Sequence, residues 1–138
     1  YDEVSSQIKN SLNNDNPWIR YWGLIVCSSF GSKAIENKEK INVIFENDSE
    51  NLVRMRAAEF MLLNDIELSD SKINSLLKRS NFEAEANLML NTLANIKTIN
   101  PKYKLNLNKN VFPENWIPPI REENALVNRR MNYLTENE

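Results

Sequence analysis

The chain has 138 residues, 26% of them charged and 41% hydrophobic, and its formal net charge is −2. That length fits one domain able to bury a sizeable core, and the lack of basic excess excludes the phosphate-neutralising surface of a helical repeat that grips nucleic acid. The absence of His, the single Cys and the two Gly remove the usual general base, the commonest zinc ligand, any internal disulfide, and the glycine-rich loops of all-β and phosphate-cradling folds.

Roughly one residue in six is Asn, a poor helix former but a good cap and turn residue. Genome composition is the plainer explanation for that bias. No apolar run is long enough to span a membrane, so no membrane insertion is expected. The first residue is Tyr1, and the chain reads as an excised piece of something longer, with any targeting segment lost.

In chain order, Val4, Ile8 and Leu12 form one apolar stripe, which predicts a helix over Asp2 to Asn13. Asn14 to Asn16 breaks it. Asn16 then caps a second helix that begins at Pro17, where a first turn tolerates proline, and runs to about Phe30, with Gly31 just beyond its end. Lys33 to Asn47 reads as a third helix with Ile41, Ile44 and Phe45 inward. Asp48 and Ser49 offer the next cap, and a fourth helix spans about Glu50 to Leu63, its Glu50 favoured by the helix dipole. Ser69 or Asp70 caps a short fifth helix containing Ile73, Leu76 and Leu77. A sixth, Phe82 to about Lys97, presents Ala86, Met89, Leu90, Leu93 and Ile96.

Residues 100–121 then carry Pro101, Pro113, Pro118 and Pro119 and the alternation Tyr103, Leu105, Leu107, and read as extended chain. Val111, Phe112, Trp116 and Ile117 are too apolar for a free linker, so the segment is expected to lie on the helices. Residues 122–138 close the chain with a last helix, about Glu122 to Thr135, presenting Leu126, Val127, Arg130, Met131 and Leu134.

Ile19-Arg20-Tyr21-Trp22-Gly23-Leu24 aligns with Val53-Arg54-Met55-Arg56-Ala57-Ala58, 34 residues later. Asp15 and Asp48 each precede their Arg, in loops that differ by one residue. A weaker third copy starts near Glu85 and lacks the Arg. A period in the low thirties with two helices per unit marks an α-solenoid. No hairpin buries its apolar residues alone, so hairpins must stack, and Gly23, Ala57 and Ala58 let neighbours approach.

Asp…Val-Arg…Ala-Ala at this spacing resembles HEAT repeats, over residues 1–97. The resemblance implies a hydrogen-bonded ladder between repeats formed by Asp15, Arg20, Asp48 and Arg54, ending before the third copy. The run Asp15-Asn16-Pro17-Trp18-Ile19-Arg20-Tyr21-Trp22-Gly23 further resembles the C-terminal helical extension of bacterial sulfatases of the arylsulfatase and N-sulfoglucosamine sulfohydrolase-like kind. This implies the helical tail of a periplasmic or extracellular hydrolase of sulfated glycans. That family's Cys/Ser-x-Pro-x-Arg motif is absent: Cys27 is followed by Ser28-Ser29-Phe30. The chemistry would lie upstream.

Trp18, Tyr21, Trp22 and Ile25 fall at i, i+3, i+4 and i+7, while Ile19, Gly23, Val26, Cys27 and Phe30 fill the neighbouring face. A helix apolar nearly all round is buried on more than one side. The aromatics therefore either pack against adjacent hairpins or form a docking surface, extended by Met55, Arg56 and Glu59, since aromatics and Arg dominate binding hot spots. A cation–π contact of Arg56 with Trp22 is open. Cys27 reads as a small buried hydrophobe. The pairs Glu83/Glu85 and Glu122/Glu123 read as solvated surface without a partner for acid–base work. Glu46, Asp48 and Glu50 lack the glycine and closing Glu of a calcium loop. Lys38 to Lys40 and Arg129-Arg130 read as ordinary surface.

The expected fold is all-α: a HEAT-like α-α superhelix of about three hairpins over 1–99, a Pro-rich crossing over 100–121, and a capping helix over 122–138 of the same domain. The expected role is non-catalytic, without cofactor or metal. The module would brace the catalytic domain of a sulfatase-like parent; the alternative is a separate adaptor binding another protein.

Overall fold

The computed structural model describes residues 1–108, 110–116 and 126–135. Among them every regular element is helical and there is no strand. Contacts divide the chain into two compact units, Tyr1–Leu68 and Ser69–Glu138. Within the second unit, α6 and α7, defined below, pack on each other.

The first unit contains α1 (Ser5–Leu12), α2 (Pro17–Phe30), a 3₁₀ turn (Gly31–Asn37), α3 (Lys38–Asn47) and α4 (Asn51–Leu63). α2 packs against α1 and α4, and α3 packs against α4. Ile8 and Leu12 of the α1 stripe are buried. Asn16 caps α2, its Oδ1 accepting from the Trp18 N–H at 2.9 Å, with Pro17 at the first helical position.

Gly31 ends α2 at φ +56°, a left-handed backbone that a side chain resists. The chain then tightens into the 3₁₀ turn, so the single helix expected over Lys33 to Asn47 is shortened to Lys38–Asn47. The physical cause lies at Asn37, whose buried side chain donates to the Ala34 carbonyl at 3.1 Å and to the Tyr1 hydroxyl at 2.9 Å. Local side-chain bonds of this kind compete with α-helical pairing. Tyr1 in turn donates to Glu36 at 2.7 Å and meets Phe30 edge to face.

Gly23 sets how closely α1 and α2 approach. A Cβ built there would lie 2.9 Å from Cβ of Ser11. α4 is buried on more than one side: Val53, Met55, Ala57, Ala58 and Phe60 all lie in the core.

The second unit contains α5 (Asp70–Lys78), α6 (Glu83–Ile99), a 3₁₀ turn (Glu114–Trp116) and α7 (Leu126–Thr135). Ser69 caps α5 by accepting from the Lys72 N–H. The described part of the 100–121 segment is non-helical up to its 3₁₀ turn and buries Leu105, Leu107, Val111 and Phe112. Asn74 of α5 holds it: Nδ2 donates to the Asn106 carbonyl at 2.8 Å, and Oδ1 accepts from the Asn108 N–H at 2.7 Å. Asp70 accepts from the Asn106 N–H at 3.1 Å.

In α7, Val127, Met131 and Leu134 face inward, whereas Leu126 and Arg130 are exposed. Lys97 of α6 ties the pair together by donating to the Tyr133 carbonyl and lying over the Tyr133 ring. Ile117, Pro118, Pro119 and the Glu122/Glu123 pair lie outside the described residues.

Glu85 corrects the solvated-surface reading. It is 6% exposed, and its Oε2 accepts from the Asn81 N–H at 2.7 Å and from the Asn81 side chain at 3.2 Å. It reaches back over the start of α6, satisfying a main-chain donor just outside the helix and placing negative charge at the positive end of the dipole.

Candidate docking face of the first unit

Arg20 and Arg54, 34 residues apart, do different work. The Arg20 guanidinium, on α2, donates from Nε to Asp48 Oδ2 at 2.7 Å and from Nη2 to Oδ1 at 3.0 Å. Its Nη1 donates to the main-chain carbonyls of Asn14 and Asp15 at 2.7 and 2.9 Å. One side chain thus ties the α1–α2 loop to the α3–α4 loop, where Asp48 Oδ1 also accepts from the Glu50 N–H at 3.0 Å. The two-bond fork to Asp48 is the leading cause that raises the Arg20 pKa above its ordinary value.

Of the four residues assigned to a ladder, Arg20 and Asp48 therefore meet. Asp15 enters through its main-chain carbonyl while the residue itself is exposed. Arg54 donates from Nε to the Phe45 carbonyl at 2.5 Å and lies over the Phe45 ring, its guanidinium carbon 5.6 Å from the centroid.

The aromatic residues Trp18, Tyr21 and Trp22 bracket Arg20 along α2. Tyr21 is half-buried, and its ring meets Trp18 and Trp22 edge to face, at centroid distances of 6.0 and 5.7 Å. Such pairs are favoured by the ring quadrupoles. Trp18 and Trp22 are 51% and 63% exposed, which overturns the reading that packs them against adjacent hairpins. Ile19 and Val26 are exposed beside them.

Arg56 of α4 does not reach Trp22. Its Nη2 donates to the Tyr21 hydroxyl at 2.9 Å, and its guanidinium carbon lies 5.1 Å from the Tyr21 ring centroid. Its Nη1 pairs with the buried carboxylate of Glu59 at 2.8 Å. Burial opposes the charge on Arg56, but the bonds to Glu59 and Tyr21 outweigh it and hold the pKa above the ordinary value. Met55, expected on the same surface, is a core residue at 1% exposed.

A groove of about 270 Å³ runs between α1 and α2. Val4, just before α1, and Ile8 of α1 line one side, and Ile19, Trp22, Gly23 and Val26 of α2 the other; Gln7 and Ser11 supply its polar atoms. Among the described residues no ionisable side chain lines it. The spacing of Val4, Ile8 and Leu12 marks an apolar stripe without showing that Val4 and Ile8 border a groove. The usable signal was the excess of apolar residues on α2 beyond what its α4-facing side needs.

The remaining candidates are structural. Cys27 is buried, and burial pushes its thiol up to about 11. Among the described residues there is no group of three or more His, Cys, Asp or Glu side chains placed to hold a metal ion. No helix among them is long and apolar enough to cross a membrane. These observations define a helical protein with a wet aromatic face and an uncharged groove. No protein family, curated protein or solved structure matches this chain.

Proposed function

We propose that the chain is a non-catalytic helical accessory module that docks on another protein domain through the exposed side of α2. The observation that carries this reading is the exposure of Trp18 and Trp22 beside the uncharged groove. Clustered large aromatics left in water mark interaction surfaces more often than scattered apolar residues do. Tyr21, held by Arg56 and by its edge contacts to both tryptophans, limits the rotamers those rings lose on binding, which lowers the ordering cost of association.

The partner proposed is the catalytic domain of a sulfatase-like hydrolase of sulfated glycans, with this module as its C-terminal helical part. Support for that identity is the resemblance of Asp15 to Gly23 to such extensions. A chain without His also leaves few routes to acid–base chemistry of its own.

The test has three parts. The parent reading frame should carry an upstream Cys/Ser-x-Pro-x-Arg motif; a frame without one removes the sulfatase identity. The isolated chain should not hydrolyse sulfate esters, and turnover would overturn the non-catalytic assignment. Trp22→Glu should separate the module from its partner domain in a pull-down, and undiminished association would overturn the docking face.

A further inference from the structure

The internal repeat says what kind of surface belongs on the open side of α2. Position 22 corresponds to position 56 at the 34-residue offset. Arg56, at the later position, reaches back to Tyr21 of α2 while pairing with Glu59 on its own helix. Val53, Ala57 and Phe60 correspond to Ile19, Gly23 and Val26, and all three are fully buried. α4 is covered there by its packing on α2 and α3. On α2, Gly23 packs against Ser11 of α1, yet Ile19, Trp22 and Val26 remain in water and line the open groove beside it. The element these positions lack is the counterpart of α2 itself.

From this equivalence we infer that the open side of α2 seats one apolar helix of the partner domain, laid along α2 as α2 is laid along α4. The inference rests on the docking reading above and names the element that docks. The exposed surface of Trp18, Ile19, Trp22 and Val26 is on the order of 400 Å², roughly half of what each partner contributes to a standard interface between globular proteins. A second, untethered copy of the chain meeting this face therefore falls short of a stable dimer. A domain joined to it in the proposed parent chain instead binds at high effective concentration and needs less area, and one helix with anchors at i, i+3 or i+4, and i+7 fits the groove. Among the described residues the lining carries no ionisable group, so the contact face of that helix must be uncharged, because a charge seated there finds no counter-ion.

The experiment uses the whole chain, ¹⁵N-labelled. It is titrated with a stapled helical peptide bearing Leu at i, i+3, i+4 and i+7 and Lys on the opposite side, and with the same peptide carrying a central Pro, which breaks the helix. The expected result is saturable shifts at Ser11, Trp22, Gly23 and Val26 for the helical peptide, with an affinity about tenfold higher than that of its Pro-substituted counterpart and weakened about tenfold by Trp22→Glu. Equal affinity for the two peptides overturns the inference, as do shifts centred elsewhere. Stable dimerisation of the chain through this face, read by sedimentation, also overturns it. If Trp22→Glu releases the intact partner domain while the two peptides bind alike, docking stands and the helix falls. If the partner domain stays bound to Trp22→Glu, the docking reading itself falls.

Discussion

The guanidinium of Arg20 grips the carboxylate of Asp48 through two parallel bonds across 28 residues of chain. Both side chains are largely shielded, Asp48 more than Arg20. Removing one partner leaves the other charge buried and uncompensated, and Arg20→Ala also strips two loop carbonyls of their donor. Arg20→Ala should cost about 2–4 kcal/mol. Arg20→Lys should recover only part of that, because an ammonium cannot reproduce the fork. Urea unfolding of the three proteins checks the order.

Gly23 offers a second test, of packing rather than charge. Gly23→Ala removes a helix-weakening residue, which alone would stabilise. The new methyl, however, meets Ser11 at 2.9 Å, main-chain-proximal carbon against carbon. The clash should win, with a net loss of about 1–3 kcal/mol. Ser11→Gly in the same chain should return most of it, giving a favourable coupling in a double-mutant cycle.

Exposure separates two residues that the sequence placed on one surface. Met55→Ala empties part of the core and should cost about 2–5 kcal/mol. Trp22→Ala should change stability by no more than about 0.5 kcal/mol. Thermal unfolding of both decides it, and a collapse of Trp22→Ala would return that ring to the core.

Cys27 carries a pH prediction. Its folded-state pKa is raised from 9.0 to about 11 by burial. A raised value means its contribution is fully present below about pH 9 and is lost as pH rises through about 11. Denaturation midpoints should therefore fall between pH 9 and pH 11, and Cys27→Ala should flatten that part of the decline. At pH 8 a thiol reagent should label the native chain slowly and the urea-unfolded chain at once.

The helices were legible because apolar spacing and caps agree: Asn16, Pro17 and Ser69 each act where the sequence put them. The Arg20 to Arg54 spacing also pointed to a shared position on two inner helices. What could not be read was the chemistry that each arginine met. Arg54 takes a carbonyl of Phe45, and Asp15 offers only its backbone, because loops differing by one residue aim equivalent groups at different partners. The short reach of Asn37 to Ala34, which tightens Gly31–Asn37, and the back-bonding of Glu85 to Asn81 are local, but residue type alone does not decide whether such a side chain turns to the nearby backbone or out to water. Exposure of Trp18 and Trp22 was undecidable from periodicity, since a helix apolar all round does not reveal which side lacks a neighbour.

One carboxamide has a reach beyond its own bonds. Asn74 binds the carbonyl of Asn106 and the amide of Asn108, and between them Leu107 turns inward, as Leu105 does just before. Alternation means that a slip of a single residue would expose both leucines and bury asparagines in their place. Asn74 is thus a registration peg: it tells an otherwise unladdered stretch of chain which of two opposite settings to adopt. Asn74→Ala should free that choice, and the Asn108 amide should then exchange with deuterium faster than in the parent chain.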